Sequence, residues 1–242
     1  MSDRLYRFTP NVGWIAHLWK SATRQDHASW RPILRRLLPE DGVAIDVGAH
    51  GGQFTRLLAG LVPWGLVVAV EPSGYARSVL RPALWVRGVG NAVVVAAALG
   101  AESGAAVLRT PLKRRGEMGY GLATIASPAP GGGVAEPVAV ATLDALVAAL
   151  ALPRVDFVKA DIEGHEVALI AGARATLMRY RPVLLLEHDA TLLARAGASL
   201  DALWAELLSL GYQPHGLAAG APSPLNVGDG PKQGDVLWLP NW

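Results

Sequence analysis

A chain of 242 residues with 51% hydrophobic and 17% charged side chains carries enough apolar material for a full core, which excludes a disordered chain. A net charge of +2 and a pI near 9.1 are too mild for a nucleic-acid surface, and the absence of Cys removes any disulfide framework or thiolate site. Mean hydropathy is +0.28, yet no run of about eighteen uncharged apolar residues exists, and Met1–Phe8 lacks a basic-then-apolar leader, so a cytoplasmic protein without an integral membrane segment is expected.

Residues 1–40 place Trp14, Trp19 and Trp30 among Arg, Lys and His, and Ile33, Leu34, Leu37 and Leu38 recur at helical spacing until Pro39. They predict a helical appendage that reads as a lid, a dimer contact or a membrane-surface element, with packing the plainer reading of its tryptophans. From residue 41 to 242 one domain is expected. "VAIDVG" (43–48) and "LVVAVE" (66–71) read as strands, followed by helices from about Gly52 to Gly60 and from Ser73. "AVVVAAAL" (92–99) is a third strand. Residues 103–138 read as an inserted edge hairpin and Gly/Pro-rich loop, with "GEMGYGLATI" (116–125) set over the site. "VDFVKAD" (155–161) and "PVLLLEHD" (182–189) are the fourth and fifth strands, separated by a helix from about His165 to Arg179. The tail supplies one more helix and two closing strands. Continuous apolar strands interleaved with helices predict a mostly parallel α/β sheet covered on both faces.

Ligands of such sheets bind outside the carboxyl ends of the strands, and the polar residues of this chain gather there. In "AIDVGAHGGQF", Gly48, Gly51 and Gly52 permit a tight turn and a close backbone approach ahead of a helix start. His50 occupies the second glycine position of a dinucleotide fingerprint, so a pyrophosphate fits poorly. Glu71 closes the second strand, where a carboxylate accepts both hydroxyls of a ribose. Together with Asp46, these features suit a nucleoside without phosphates.

"AIDVGAHGGQFT", "VVAVEPS", "VATLDAL", "VDFVKADIEGHEVALIAGA", "RPVLLLEHD" and "GDVLWLP" follow one another as do the motifs of the FkbM family of S-adenosylmethionine-dependent methyltransferases, which this sequence resembles from about residue 41 to 190. The resemblance implies a Rossmann-like class I methyltransferase fold with a mostly parallel seven-stranded sheet. It also implies methylation of a hydroxyl on a saccharide or secondary metabolite, a small-molecule or glycan acceptor. It assigns S-adenosylmethionine to Asp46, Gly48, His50, Gly51, Phe54, Glu71, Pro72, Ala98 and Asp161. Position 50, often Asn in relatives, is His here. A homo-oligomer is compatible with this reading. The competing readings are an NAD-dependent oxidoreductase, which His50 disfavours, and a non-catalytic cofactor-binding domain, which charge at the strand ends disfavours.

Methyl transfer requires in-line alignment of the acceptor oxygen and removal of its proton. Lys159 and Asp161 share one face of their strand. Asp161 is the favoured group to orient the hydroxyl or take its proton, and Lys159 is its ion-pair partner in preference to a base. Glu187 and His188 end the fifth strand, and His188 is a second candidate base. Should a divalent ion assist, Asp161, Glu187 and His188 are its candidate ligands, but the reading without a metal is preferred. Glu163 reads equally as a turn residue or a site residue, and Glu166 as a helix-start residue complementing the dipole.

Overall fold

A computed structural model describes residues 4–5, 9–111, 124–125, 133–218 and 221–241. The chain begins with a short strand β1 (Arg4–Leu5), then helices α1 (Val12–Thr23) and α2 (Arg31–Leu37). It enters the main sheet at β2 (Val43–Val47), followed by α3 (Gln53–Ala59), β3 (Leu66–Val70), α4 (Gly74–Val86) and β4 (Ala92–Val95). The insertion comprises β5 (Ala98–Leu99), β6 (Gly104–Pro111), β7 (Thr124–Ile125) and β8 (Gly133–Ala141). The chain then runs through α5 (Leu143–Ala149), β9 (Phe157–Ala160), α6 (Glu166–Ala171), α7 (Arg174–Tyr180), β10 (Val183–His188), α8 (Ala190–Arg195) and α9 (Leu200–Ser209). It closes with β11 (Tyr212–Ala218), β12 (Ala221–Pro224) and β13 (Gly234–Pro240).

The main sheet has the order β12-β11-β13-β10-β9-β2-β3-β4. β4, β3, β2, β9 and β10 are parallel, and β13 inserts antiparallel between β10 and β11. The sequence predicts seven strands; the described sheet has eight, because the chain after β11 doubles back as the edge strand β12. The buried runs of β2 and β9 fit a sheet covered on both faces. On one face Ile45, Val68, Val158, Leu184 and Leu186 pack with α5, α6, α7 and α9. On the other, Ala44, Val67, Phe157, Val183 and Leu185 meet α2 and α3. Helix α1 lies on α4, where Trp14 Nε1 donates to Ser78 Oγ (3.0 Å). Among the described residues no helix is long and apolar enough to cross a membrane.

Two expected elements are divided. The run 92–99 leaves the main sheet after Val95, because Ala98 and Leu99 pair instead with Val140 and Ala141 of β8. The helix expected over 165–179 breaks at Gly172–Ala173. A Cβ on Gly172 would stand 2.1 Å from Gly100 O, and Asp144 caps the new helix by accepting from Ala175 N (3.1 Å) and Thr176 N (2.7 Å). Within the insertion, β6 and β8 form an antiparallel hairpin in a second sheet. Glu136 of β8 accepts from Gly74 N at the start of α4 (2.9 and 3.0 Å), which docks that sheet beside the carboxyl end of β3. Of the loop expected over the site, 116–125, only Thr124 and Ile125 fall within the described residues.

Candidate active site

The turn after β2 is where the sheet opens to a ligand. Gly48 has φ +77, and a Cβ there would lie 2.1 Å from Asp161 O, so only glycine lets the first and fourth parallel strand ends approach this closely. Beyond it is a cavity of about 260 Å³. Its apolar walls include Val70, Ala97, Ala98, Leu99 and Ile162, with Leu108 of the inserted hairpin closing one side. Its polar groups are few: His50, Glu71, Ser73, Asp161, Glu163 and His165.

Glu71 ends β3 with its carboxylate fixed. Oε2 accepts from His50 N (2.8 Å) and Oε1 from Ser73 N (2.8 Å), leaving further lone pairs for a ligand. Burial pushes its pKa up to about 6, against the two backbone N–H groups and Arg77, which favour the anion. His50 holds a left-handed backbone (φ 46), and its buried Nε2 has no hydrogen-bond partner among the described residues. Burial lowers its pKa, so the ring is neutral at physiological pH. Helix α1 backs this loop: His17 lies 5.2 Å from the His50 ring, and its Nδ1 is 3.2 Å from Tyr75 Oη.

Behind the cavity runs a charged row set by strand register. Asp46 stands opposite Lys159 on the face covered by α3. Asp46 is fully buried; its Oδ2 accepts from Thr55 Oγ1 (2.6 Å) and its Oδ1 faces Lys159 Nζ at 3.6 Å, an ion-pair separation too long for a hydrogen bond. Lys159 Nζ also donates to Asp161 Oδ2 (3.3 Å) and sits over the Phe54 ring at 5.6 Å. Burial works to lower the pKa of this lysine, but Asp46 and Asp161 outweigh it and hold the pKa above the ordinary value. Burial likewise pushes Asp161 up, and Lys159 with a Glu187 hydrogen bond brings it below the usual carboxylate range. Glu187 takes the opposite course: burial and the Asp161 charge push it up to about 8, so it carries the proton of that pair near neutrality.

The cavity thus brings together Gly48, His50, Glu71, Pro72, Ala98 and Asp161. Asp46, Gly51 and Phe54 do not line it. Asp46 and Phe54 lie in the packed layer beneath, where Phe54 stacks on Phe157, and Gly51 faces Ser21 of α1. Lys159 and Glu187 act from behind Asp161. His188 departs from expectation altogether: alternation along β10 turns it to the opposite face of the sheet from Glu187. There its Nδ1 lies 3.2 Å from both Lys232 O and Trp204 Nε1, and its Nε2 accepts the indole N–H of Trp238 (3.3 Å). Burial lowers its pKa to about 4. His188 is a core residue and cannot join Asp161 and Glu187 on a metal or a substrate. Among the described residues no group of three His, Asp or Glu side chains could hold a metal ion.

Two contributors lie outside the expected motifs. Asp235 of β13 stands directly across from Glu187, and a hydrogen bond with Trp30 anchors it to the N-terminal segment. Burial and the Asp161 charge push the Asp235 carboxyl up, and His27 of the N-terminal segment is among the groups that oppose this. Neither was legible, because the antiparallel pairing of the last strand and the folding of residues 12–30 over the sheet are tertiary facts.

The family model described as the Methyltransferase FkbM domain matches residues 46–214, from the acid ahead of the glycine loop into β11. The chain belongs to this family. Among solved structures, an FkbM methyltransferase from Methylobacillus flagellatus KT is similar over 93% of the present chain, with 17% identity and a TM-score of 0.54; the chain spans 58% of that protein's length. SMU.1697c from Streptococcus mutans in complex with SAH is similar over 90% of this chain and 98% of its own, with 11% identity and a TM-score of 0.51. At these identities the likeness is one of fold, a class I methyltransferase fold. No curated protein matches the chain.

Proposed function

We propose that this FkbM-family protein is an S-adenosylmethionine-dependent O-methyltransferase acting on a hydroxyl of a saccharide or secondary metabolite. The observation that carries the reading is the pairing of an anchored carboxylate, Glu71, with an otherwise apolar cavity that ends at Asp161. A nucleoside thioether or sulfonium needs those parts: an acid for the ribose hydroxyls, apolar walls for the base, and no phosphate cradle. The residues present fit such a cofactor, since the orphaned His50 Nε2 and the spare lone pairs of Glu71 both await a ligand. Gly48, Pro72 and Ala98 would complete its bed. Bound there, the cofactor supplies an electrophilic methyl group.

The chain's own contribution is orientation. Lys159 keeps Asp161 ionised, and Glu187 hydrogen-bonds to its carboxylate, so Asp161 presents a fixed acceptor to the hydroxyl of the substrate. The FkbM protein of M. flagellatus and the SAH complex of SMU.1697c are consistent with this assignment. Calorimetry with SAH and with NAD tests the cofactor; SAH binding without NAD binding is expected, and the reverse would overturn the reading. Mass spectrometry of saccharide and polyketide acceptors incubated with methyl-labelled cofactor tests the reaction, with a gain of one labelled methyl on oxygen expected.

A further inference from the structure

Glu163 holds a backbone conformation that its residue type avoids. Its φ is +55, in the left-handed region, and the next residue, Gly164, follows at φ +96. A Cβ on Gly164 would stand 2.3 Å from Leu192 O, so the turn is pressed against α8 and cannot relax. A left-handed non-glycine residue is strained, and such strain collects at functional sites. Gly or Asn would make the turn at lower cost. The glutamate instead places its side chain in the cavity wall, between Asp161 and His165.

The other carboxylates here are committed. Asp161 is ion-paired with Lys159 (3.3 Å). Glu166 closes the turn by accepting from Ile162 N (3.3 Å). Glu187 and Asp235 lie outside the cavity lining. Glu163 is half-buried, lines the cavity and has no hydrogen-bonding partner among the described residues.

We propose that Glu163 is the catalytic base of the transfer, taking the proton of the acceptor hydroxyl that Asp161 orients. The inference rests on the O-methyltransferase reading above. As the oxygen attacks, an O–C bond forms and the C–S bond breaks with its electron pair passing to sulfur. The O–H proton moves to the Glu163 carboxylate and from its exposed side to water. The electrostatic setting supports this role. Burial, together with Asp161 at the strand end, Glu166 in the first turn of α6 and Asp189 at the cap of α8, pushes Glu163 up to about 7, with Arg195 of α8 opposing. A base of near-neutral pKa is the most effective at physiological pH, whereas Asp161 is held too acidic to keep a proton.

The test uses full-length Glu163→Gln and Glu163→Asp, with SAH calorimetry, steady-state kinetics on an acceptor found as above, and thermal melts from pH 5 to 8.5. Glu163→Gln is expected to lower kcat by about 10²–10⁴-fold while the SAH Kd stays within a few-fold, with Glu163→Asp recovering part of the loss. The fall of kcat/KM below about pH 7 in the wild type should vanish in Glu163→Gln. A raised carboxyl pKa means the folded state holds the proton longer, so wild-type stability should decline relative to Glu163→Gln as pH rises from about 4.5 to 7. Wild-type binding and turnover with Glu163→Gln turnover within threefold overturns the proposal alone, as does a loss of SAH affinity matching the loss of rate. Failure of the wild type to bind SAH overturns the reading of the site and this inference with it.

Discussion

Lys159 is the keystone of the charged row, and Lys159→Met measures it. The substitution keeps the volume of the side chain and removes the ammonium facing Asp46 (3.6 Å) and Asp161 (3.3 Å). Breaking a buried pair by deleting one partner costs about 3–5 kcal/mol, because the other charge is left without compensation. The two aspartates do not suffer equally. The Asp161 side chain is 44% exposed and can rehydrate, whereas Asp46 is 0% exposed and among the described residues retains only the Thr55 hydroxyl. The lower end of the range is therefore expected, about 3 kcal/mol, which for a chain of this length converts to a Tm loss of roughly 6–12 °C at neutral pH. The pH dependence has a definite sign. The pKa of Lys159 is raised in the folded state, so its stabilisation is complete below the unfolded lysine value and is lost only in strong alkali. Across pH 5–9 the wild type therefore keeps the full contribution of Lys159. Differential scanning calorimetry reads both quantities. The double variant Lys159→Met/Asp46→Asn should recover at least half of the loss, since it replaces the buried anion with an amide. A single-variant loss under about 2 °C, or no recovery in the double variant, would refute the account of Lys159 as compensation for a buried acid.

Three further outcomes are expected. Glu71→Ala removes both carboxylate oxygens from the cavity and should weaken SAH binding by roughly 1–3 kcal/mol, about 5- to 150-fold by calorimetry. Because Glu71 is pushed up to about 6, wild-type SAH affinity should fall as pH drops through 6; a Kd flat from pH 5 to 8 would remove Glu71 as an anchor. Asp161→Asn should lower kcat by about 10²-fold or more in radiolabelled transfer assays, with SAH affinity within a few-fold. His188→Ala should lower Tm and leave kcat per folded molecule unchanged. Since burial drives His188 down to about 4, its neutral form stabilises the fold above pH 6.5, and that stabilisation is lost as pH falls toward 4 in the wild type but not in the variant.

The main sheet was legible because its signal is local. Largely apolar runs at 43–47, 66–70, 157–160 and 183–188, interrupted by Asp46, Lys159 and the Glu187–His188 pair, mark strands buried on both faces, and Gly48 and Ser73 mark the turns that follow the first two. The breaks at Val95 and Gly172 were not legible, because each is imposed by a distant segment: Val140–Ala141 of β8 recruits Ala98 and Leu99, and the Asp144 carboxylate caps α7. Polar residues at strand ends were found wherever their own strand pointed them at the cavity, as with Glu71 and Asp161.

Glu187 and His188 mark the limit of that reading. They are adjacent, both polar, and both at the carboxyl end of β10, so the sequence offers them equally. One-residue alternation sends them to opposite faces, and which face is chemical depends on what packs there. The Glu187 face meets Lys159 of β9, Asp161 just beyond it and Asp235 of β13; the His188 face meets the indoles of Trp204 and Trp238. An imidazole whose pKa falls to about 4 and which lies against two indoles has become part of the core, while the carboxyl beside it, pushed up to about 8, stands behind Asp161. The same residue pair would exchange these roles if β10 slipped by one position. Strand parity at the fifth strand, fixed by the register Leu185–Lys159, therefore decides which of the two faces Lys159 and Asp161.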